Sequence, residues 1–174
     1  MKKSLFVIWL IWALILSWCG GQSGLKKYND SIYSYIKECT DSTQTLFETY
    51  EKSDGSTTVE SIMQMLEEDI VICQNSESKI KELGDYDGDT SLSDPSLKLL
   101  WLEIAYLQKF GSTNHYRNID TLTDEDRLQY NGVVNELNEL EDALNAQFLV
   151  LQQAQEGFAA KHRLALDTQE TEEW

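Results

Sequence analysis

The chain of 174 residues contains very little proline and little glycine: a single proline at position 95 and nine glycines. Both residues interrupt helices, so their scarcity favours long helical segments, as do the many Leu, Glu, Gln and Ala residues towards the end. No run alternates apolar and polar residues as a half-buried strand does, and no segment repeats at the period of a solenoid. These absences predict an all-α fold.

Positive charge is scarce as well. Lys and Arg number 14 against 30 Asp and Glu, and the formal net charge is −16. A surface of this kind repels nucleic acid phosphates and anionic lipid headgroups, so neither is expected as a partner.

Histidine is nearly absent: His115 and His162 lie on separate predicted helices. Neither belongs to a Glu-x-x-His pair or has a Cys or Asp at the spacing of a zinc site or nucleophilic triad. Both are predicted at the surface. The acidic runs Glu67-Glu68-Asp69 and Glu136 to Asp142 are predicted to be solvated helix faces. With no glycine-rich phosphate loop either, the sequence predicts no catalytic residue, no metal and no cofactor, hence a protein that is not an enzyme.

The loop Asp85-x-Asp87-Gly88-Asp89 resembles a calcium site, because alternating carboxylates suit a hard cation. An EF-hand, however, needs glycine at its sixth position and glutamate at its twelfth. In this loop Gly88 is fourth and Ser96 is twelfth. We therefore expect an acidic, solvated loop that leads into a helix.

The one long hydrophobic run stands at the start, where an apolar block from Leu5 to Trp18 follows two lysines. It has 14 residues, whereas a helix that spans a bilayer needs about 20. Lysines before a short apolar block are typical of a secretory signal peptide. We predict a signal peptide over 1–18, a flexible tether over 19–24, a helical domain over 25–166 and an acidic tail over 167–174.

Cys19 ends the apolar block, and Leu16-Ser17-Trp18-Cys19 resembles the signal of bacterial lipoproteins. The resemblance implies that Cys19 carries lipid, such as palmitate, since several acyl chains together hold a protein stably on a membrane. Lipoprotein signals have a small residue where Trp18 stands. Ordinary signal cleavage near Cys19 and an uncleaved signal anchor therefore stay open as alternatives.

Four helical segments follow, each with apolar residues three and four positions apart. They are predicted over about 25–52, 58–83, 95–118 and 123–165. Loops of short to medium length make an antiparallel four-helix bundle the simplest packing.

Capping signals mark three of the predicted helix starts. Thr57 with Glu60 forms a possible capping box, and Asp94 before Pro95 suits an N-cap followed by the first helical residue. Thr123 precedes three acids, which favour the positive end of a helix dipole.

Cys39 and Cys73 fall on the apolar stripes of the first two helices. Counted from a turn near residues 54 and 55, their axial positions differ by about 5 Å, which is marginal for a disulfide whose Cα atoms lie within about 7 Å. Export to an oxidising compartment permits the bond. A disulfide and a pair of buried thiols both remain open.

Three short motifs are spread over the mature chain: Tyr28-Asn29-Asp30, Gly88-Asp89-Thr90-Ser91-Leu92 and the segment from Ala154 to His162. Together they resemble a group of small helical bacterial surface lipoproteins, the leptospiral-type surface protein family. The resemblance implies a helical bundle in the cell envelope and supplies no catalytic residues, because that family has no established activity. Judged from the residues alone, Tyr28 and Phe158 belong to the core, and Asp89 or Ser91 supports the approach to the third helix.

These features predict a non-enzymatic, lipid-anchored protein of the bacterial cell envelope, facing the periplasm or the exterior. It would act as a structural or interaction module, with an unknown envelope protein or small ligand as partner. The alternative is a periplasmic ligand-binding or sensory module with a pocket between helices near Trp101 and Tyr106.

Overall fold

The computed structural model describes residues 23–52, 58–116 and 122–163. Four α-helices make up nearly all of these ranges: α1 Ser23–Lys52, α2 Val59–Leu83, α3 Ser93–Ser112 and α4 Asp124–Lys161. A short 3-10 segment, Thr113–Tyr116, follows α3. The predicted all-α four-helix bundle is therefore confirmed, whereas the signal peptide and the tail lie outside the described residues.

Each helix packs against the next in the chain, as in an up-down-up-down arrangement. α1 also touches α3 across the bundle. α1 and α4 meet at one end, where the Tyr28 and Phe158 rings lie 5.7 Å apart between centroids. The apolar stripes predicted for the four helices converge on one core, which includes Ile36, Leu66, Leu107 and Leu144.

α3 is the most enclosed helix, as its apolar sequence indicates. Leu99, Leu100 and Leu107 are fully buried. Gly111 permits a close approach to α2, since a Cβ atom there would lie 2.7 Å from Cδ2 of Leu66. Trp101, in contrast, is 57% exposed.

Three helix starts differ from the predicted ones. α1 begins at Ser23, so residues 23 and 24 are helical and the prediction of a flexible tether over 19–24 is wrong for them. The N-cap of α2 is Thr58, whose hydroxyl accepts from Ser61 N, so the box predicted between Thr57 and Glu60 is wrong. α3 begins at Ser93, with Leu92 as its N-cap and no side-chain cap. Pro95 is still among the first residues of the helix, where a missing N–H leaves no bond unmade.

The start of α4 agrees with the sequence, and its end comes earlier than predicted. Thr123 caps the helix and forms a complete capping box with Asp126. The helix ends at Lys161, short of the predicted 165, with His162 as its C-cap. None of the helices within the described ranges offers a stretch long and apolar enough to cross a bilayer.

Candidate functional site

The cysteines of the α1–α2 hairpin are bonded to each other. Cys39 and Cys73 form a disulfide with their Cα atoms 4.7 Å apart. The gap between Lys52 and Val59 is centred slightly later than the turn assumed from the sequence, which brings the two residues nearly level. Of the two alternatives left open by the sequence, the structure contains the disulfide.

Two other residues considered in the sequence lie wholly or partly outside the described residues. Cys19, the predicted lipid attachment point, lies outside the described residues. His115 belongs to the 3-10 segment, but its side chain is also outside the described part of the chain. Lipid attachment therefore stays a prediction.

The acidic loop between α2 and α3 forms a tight turn. Tyr86 and Asp89 pair through two backbone bonds of 3.2 and 3.0 Å, and the residues between them, Asp87 and Gly88, have φ of 53° and 80°. Positive φ at both central positions is the geometry of a type I′ turn, which Asp-Gly favours. A side-chain bond from Gly88 N to Asp85 Oδ1, 2.7 Å long, closes the loop further.

Asp89 at the end of this turn ties the loop to α4. Its Oδ2 atom lies 2.8 Å from Lys161 Nζ and 3.0 Å from His162 Nε2, and its Oδ1 accepts from Ser91 N at 3.0 Å. We call Tyr86, Asp89, Lys161 and His162 the Asp89 clamp. The Lys161 ammonium, with help from Ser91 and His162, holds the pKa of the Asp89 carboxyl well below its usual range.

His162 is not the surface residue that the sequence predicted. Its side chain is 21% exposed, and its ring centroid lies 4.5 Å from that of Phe158 and 5.4 Å from that of Tyr86. Tyr28 completes this aromatic group and donates from its hydroxyl to Gly84 O at 2.9 Å. The three motifs that carry the family resemblance thus meet at one end of the bundle.

A second polar group lies in the middle of the bundle, among α1, α2 and α3. Asp69 of α2 is 6% exposed, so the prediction of a solvated face is wrong for this residue. It occupies a stripe position between Leu66 and Cys73, whereas Glu67 and Glu68 point outward. Ser42 of α1 donates to Asp69 Oδ1, and Asp69 Oδ2 has no hydrogen-bond partner.

Glu103 of α3 is the second acid in this group. It is 7% exposed, and burial raises the pKa of its carboxyl to about 7, with the nearby Asp69 charge adding to the effect. Burial also raises the pKa of Asp69, opposed by the Ser42 bond. We call Thr43, Asp69 and Glu103 the acidic layer.

Thr43 and Tyr106 border Glu103. The Thr43 hydroxyl lies near the Glu103 carboxyl and lowers its pKa, but Thr43 Oγ1 makes no well-formed hydrogen bond and is buried. The pKa of Tyr106 is raised to about 12 by burial and by the charges of Glu141 and Glu103. Its ring packs edge-on against Phe47 at 5.8 Å.

Sequence reasoning missed Glu103, although a signal was present. It is the only acid between Leu99 and Leu107, inside the most apolar helix. An acid within a helix that is apolar nearly all round is expected to be buried. A buried acid must pair with a cation or hold a proton, because an isolated buried charge is very costly. Asp69 could have been found from its place on the α2 stripe, one turn from Cys73.

The two groups differ in what they can do chemically. The clamp is a closed set of hydrogen bonds to one carboxylate, while the acidic layer holds an unpaired carboxyl oxygen, Asp69 Oδ2, that can take up a proton. Among the described residues, no cluster of His, Cys, Asp or Glu has the make-up of a metal site. No family model, curated protein or solved structure matches the chain.

Proposed function

We propose that this protein is a lipid-anchored, non-enzymatic protein of the bacterial cell envelope, and that its bundle is a structural or interaction module. The observation that carries the proposal is the disulfide between the fully buried Cys39 and Cys73. Cytosolic proteins rarely keep such bonds, because cellular reductants hold thiols reduced, whereas exported proteins retain them. The disulfide thus supports the export that the start of the sequence predicts.

The short tether gives the anchored bundle an orientation. α1 begins at Ser23, four positions after Cys19. Four extended residues reach at most about 14 Å, so a lipid on Cys19 holds this end of the bundle beside the membrane. The Asp89 clamp and its aromatic neighbours lie at the same end. The tethered end of the bundle is therefore the end at which α1, the α2–α3 loop and α4 contact one another.

The placement of the acids supports a non-enzymatic role. The acids that converge, Asp69 and Glu103, lie in the core, where a substrate has no access. Asp89 is saturated with partners and has no oxygen free to act as a base. The likeness to small helical bacterial surface lipoproteins belongs to the same proposal and adds no catalytic residue to it.

The alternative, a ligand-binding or sensory module, required a pocket near Trp101 and Tyr106. Residues five positions apart on a helix are separated by about 140° around its axis. Trp101 accordingly faces outward, while Tyr106 packs on Phe47. These two side chains do not line one cavity, which counts against a binding pocket at that place.

The anchoring is tested by expressing the full chain in a bacterium and analysing the membrane fraction by mass spectrometry. We expect a mature protein that starts with an acylated Cys19. Cys19→Ala should abolish acylation and leave the precursor unprocessed. Trp18→Gly, which supplies the small residue typical of lipoprotein signals, should process at least as efficiently as the natural sequence.

Two outcomes contradict separate parts of the proposal. An unmodified N-terminus beyond Cys19 removes the lipid anchor but keeps export. Recovery of the uncut chain in the cytosol, with Cys39 and Cys73 alkylated by a thiol reagent under denaturing conditions before any reduction, removes export altogether.

A further inference from the structure

Three helices each contribute one polar side chain to the acidic layer: Thr43 from α1, Asp69 from α2 and Glu103 from α3. All three are more than nine-tenths buried. The layer lies one helical turn from the disulfide, because Thr43 follows Cys39 by four positions and Asp69 precedes Cys73 by four. It therefore sits where α3 packs on a hairpin that is covalently closed.

In the part of the chain that the structure describes, the charged groups that act on Glu103 and its neighbours are acidic. Asp69 faces it from α2, with Glu68 acting on Asp69, and Tyr106 lies beside it on α3 with Glu141 of α4 beyond. From α1 it meets the uncharged Thr43. Within the described ranges, the salt bridges that Lys and His side chains form go to acids other than Asp69 and Glu103. Two negative charges in this layer would have no compensating cation.

Two oxygens of the layer, Thr43 Oγ1 and Asp69 Oδ2, have no hydrogen-bond partner. A buried acceptor without a donor is costly, and a proton on one carboxyl would supply that donor while removing a charge. Asp69 Oδ2 thus points to a small ligand, a proton taken from solvent, whereas the Thr43 hydroxyl already carries its own proton.

We propose that the acidic layer is a proton-binding site whose occupancy controls how firmly α3 docks on the α1–α2 hairpin. With the proton bound, the carboxyls of Asp69 and Glu103 share it with their neighbouring oxygens. When it leaves to solvent, two like charges face each other across the α2–α3 interface. The disulfide keeps α1 and α2 together, so the loosening falls on α3.

The direction of the pH dependence follows from the raised pKa of Glu103. Its pKa lies above the ordinary value of 4.5, at about 7. The folded protein therefore holds the proton more tightly than the unfolded chain in that interval, and stability falls as the pH rises through it. We expect the melting temperature to be higher at pH 5.5 than at pH 8 by roughly 5 °C or more.

The test compares wild type with Glu103→Gln, which keeps the shape and cannot ionise. The variant should melt at a higher temperature than wild type at pH 8 and lose most of the pH dependence. Glu67→Gln removes an exposed acid from α2 and is the matched control, expected to keep the wild-type profile. Equal pH dependence in wild type and Glu103→Gln overturns the proposal.

Two measurements, on wild type and on Asp69→Asn, test the proposal if Glu103→Gln does not fold. Carbon NMR of the wild-type Glu103 carboxyl should show titration near neutral pH, and titration below pH 5 would contradict the site. Amide exchange, corrected for intrinsic rates, should quicken in α3 between pH 5.5 and 8, and Asp69→Asn should suppress this. Unchanged protection of α3 in wild type across that range would refute the docking mechanism.

Discussion

Asp89, at one end of the bundle, and Glu103, in its core, each have 7% of their surface exposed, yet their pKa values shift in opposite directions. Asp89 meets a lysine, a histidine and a backbone N–H. Glu103 meets a second carboxyl and a hydroxyl that makes no well-formed bond. Partners and depth therefore act together: ionic partners at the end of the bundle hold Asp89 ionised, whereas burial in the core, with no cation beside it, favours the protonated form of Glu103.

Asp89→Asn should cause the largest loss of stability among the variants considered. The substitution removes the charge that Lys161 and His162 face, and should lower the free energy of unfolding by about 2 kcal/mol. Urea denaturation at pH 7 measures the loss. A variant as stable as wild type would mean that the clamp contributes nothing to stability.

The same variant separates the pH responses of the two sites. Because the folded-state pKa of Asp89 is lowered, its contribution is present above the ordinary value of 3.8 and is lost as the pH falls below it. Asp89→Asn should therefore flatten the acid side of the stability profile. The part of the pH dependence that Glu103→Gln removes between pH 5.5 and 8 should persist in Asp89→Asn.

Glu103→Met should have the opposite sign. A buried acid with no cation is replaced by an apolar side chain of similar length, and stability at pH 8 should rise by about 2 kcal/mol. The gain should shrink at pH 5, where the wild-type carboxyl is protonated. Urea denaturation at both pH values measures the change. Destabilisation at pH 8 would show that the Glu103 carboxylate makes a stabilising interaction that methionine cannot replace.

Tyr28→Phe removes a neutral hydrogen bond from the end of the bundle that holds the Asp89 clamp. Only the hydroxyl that donates to Gly84 is lost, so we expect a smaller decrease of about 1 kcal/mol. Thermal unfolding monitored by circular dichroism checks it. A loss as large as that of Asp89→Asn would mean that ionic bonding is not what distinguishes this end.

Lys81→Ala provides the smallest expected effect. Lys81 pairs with Glu77 at 2.7 Å, but its side chain is 58% exposed. Exposed pairs along one helix contribute less than about 0.5 kcal/mol. An exposed salt bridge should therefore contribute little to the free energy of unfolding. A loss above about 1 kcal/mol in urea denaturation would contradict this expectation.

Much of the bundle could be predicted from local patterns. Tyr28 and Phe158 are in the core as their spacing indicated, and Thr123 caps α4. Asp89 accepts a hydrogen bond from Ser91 N at the entry to α3, as expected, but it is buried, so the prediction of a solvated loop is wrong for this residue. These features depend on neighbours a few positions away, which the sequence displays directly.

The candidate sites were less accessible to such reasoning. Asp69 follows two exposed acids, and the sequence predicts that it shares their solvated face. Each step along a helix turns by about 100°, however, so Asp69 points in a different direction from Glu68. The sequence predicts His162 at the surface, because no residue close to it in the sequence is a partner for its ring. Asp89, its partner, lies 73 positions earlier.

Helix periodicity and capping are short-range properties, so the chain alone specified four amphipathic helices, their approximate limits and the acidic character of the molecule. Which acids are paired depends on the axial register between helices, and that register is the outcome of many apolar contacts acting together. Only the folded bundle therefore brought Lys161 to Asp89, left Glu103 facing Asp69, and set Cys39 level with Cys73.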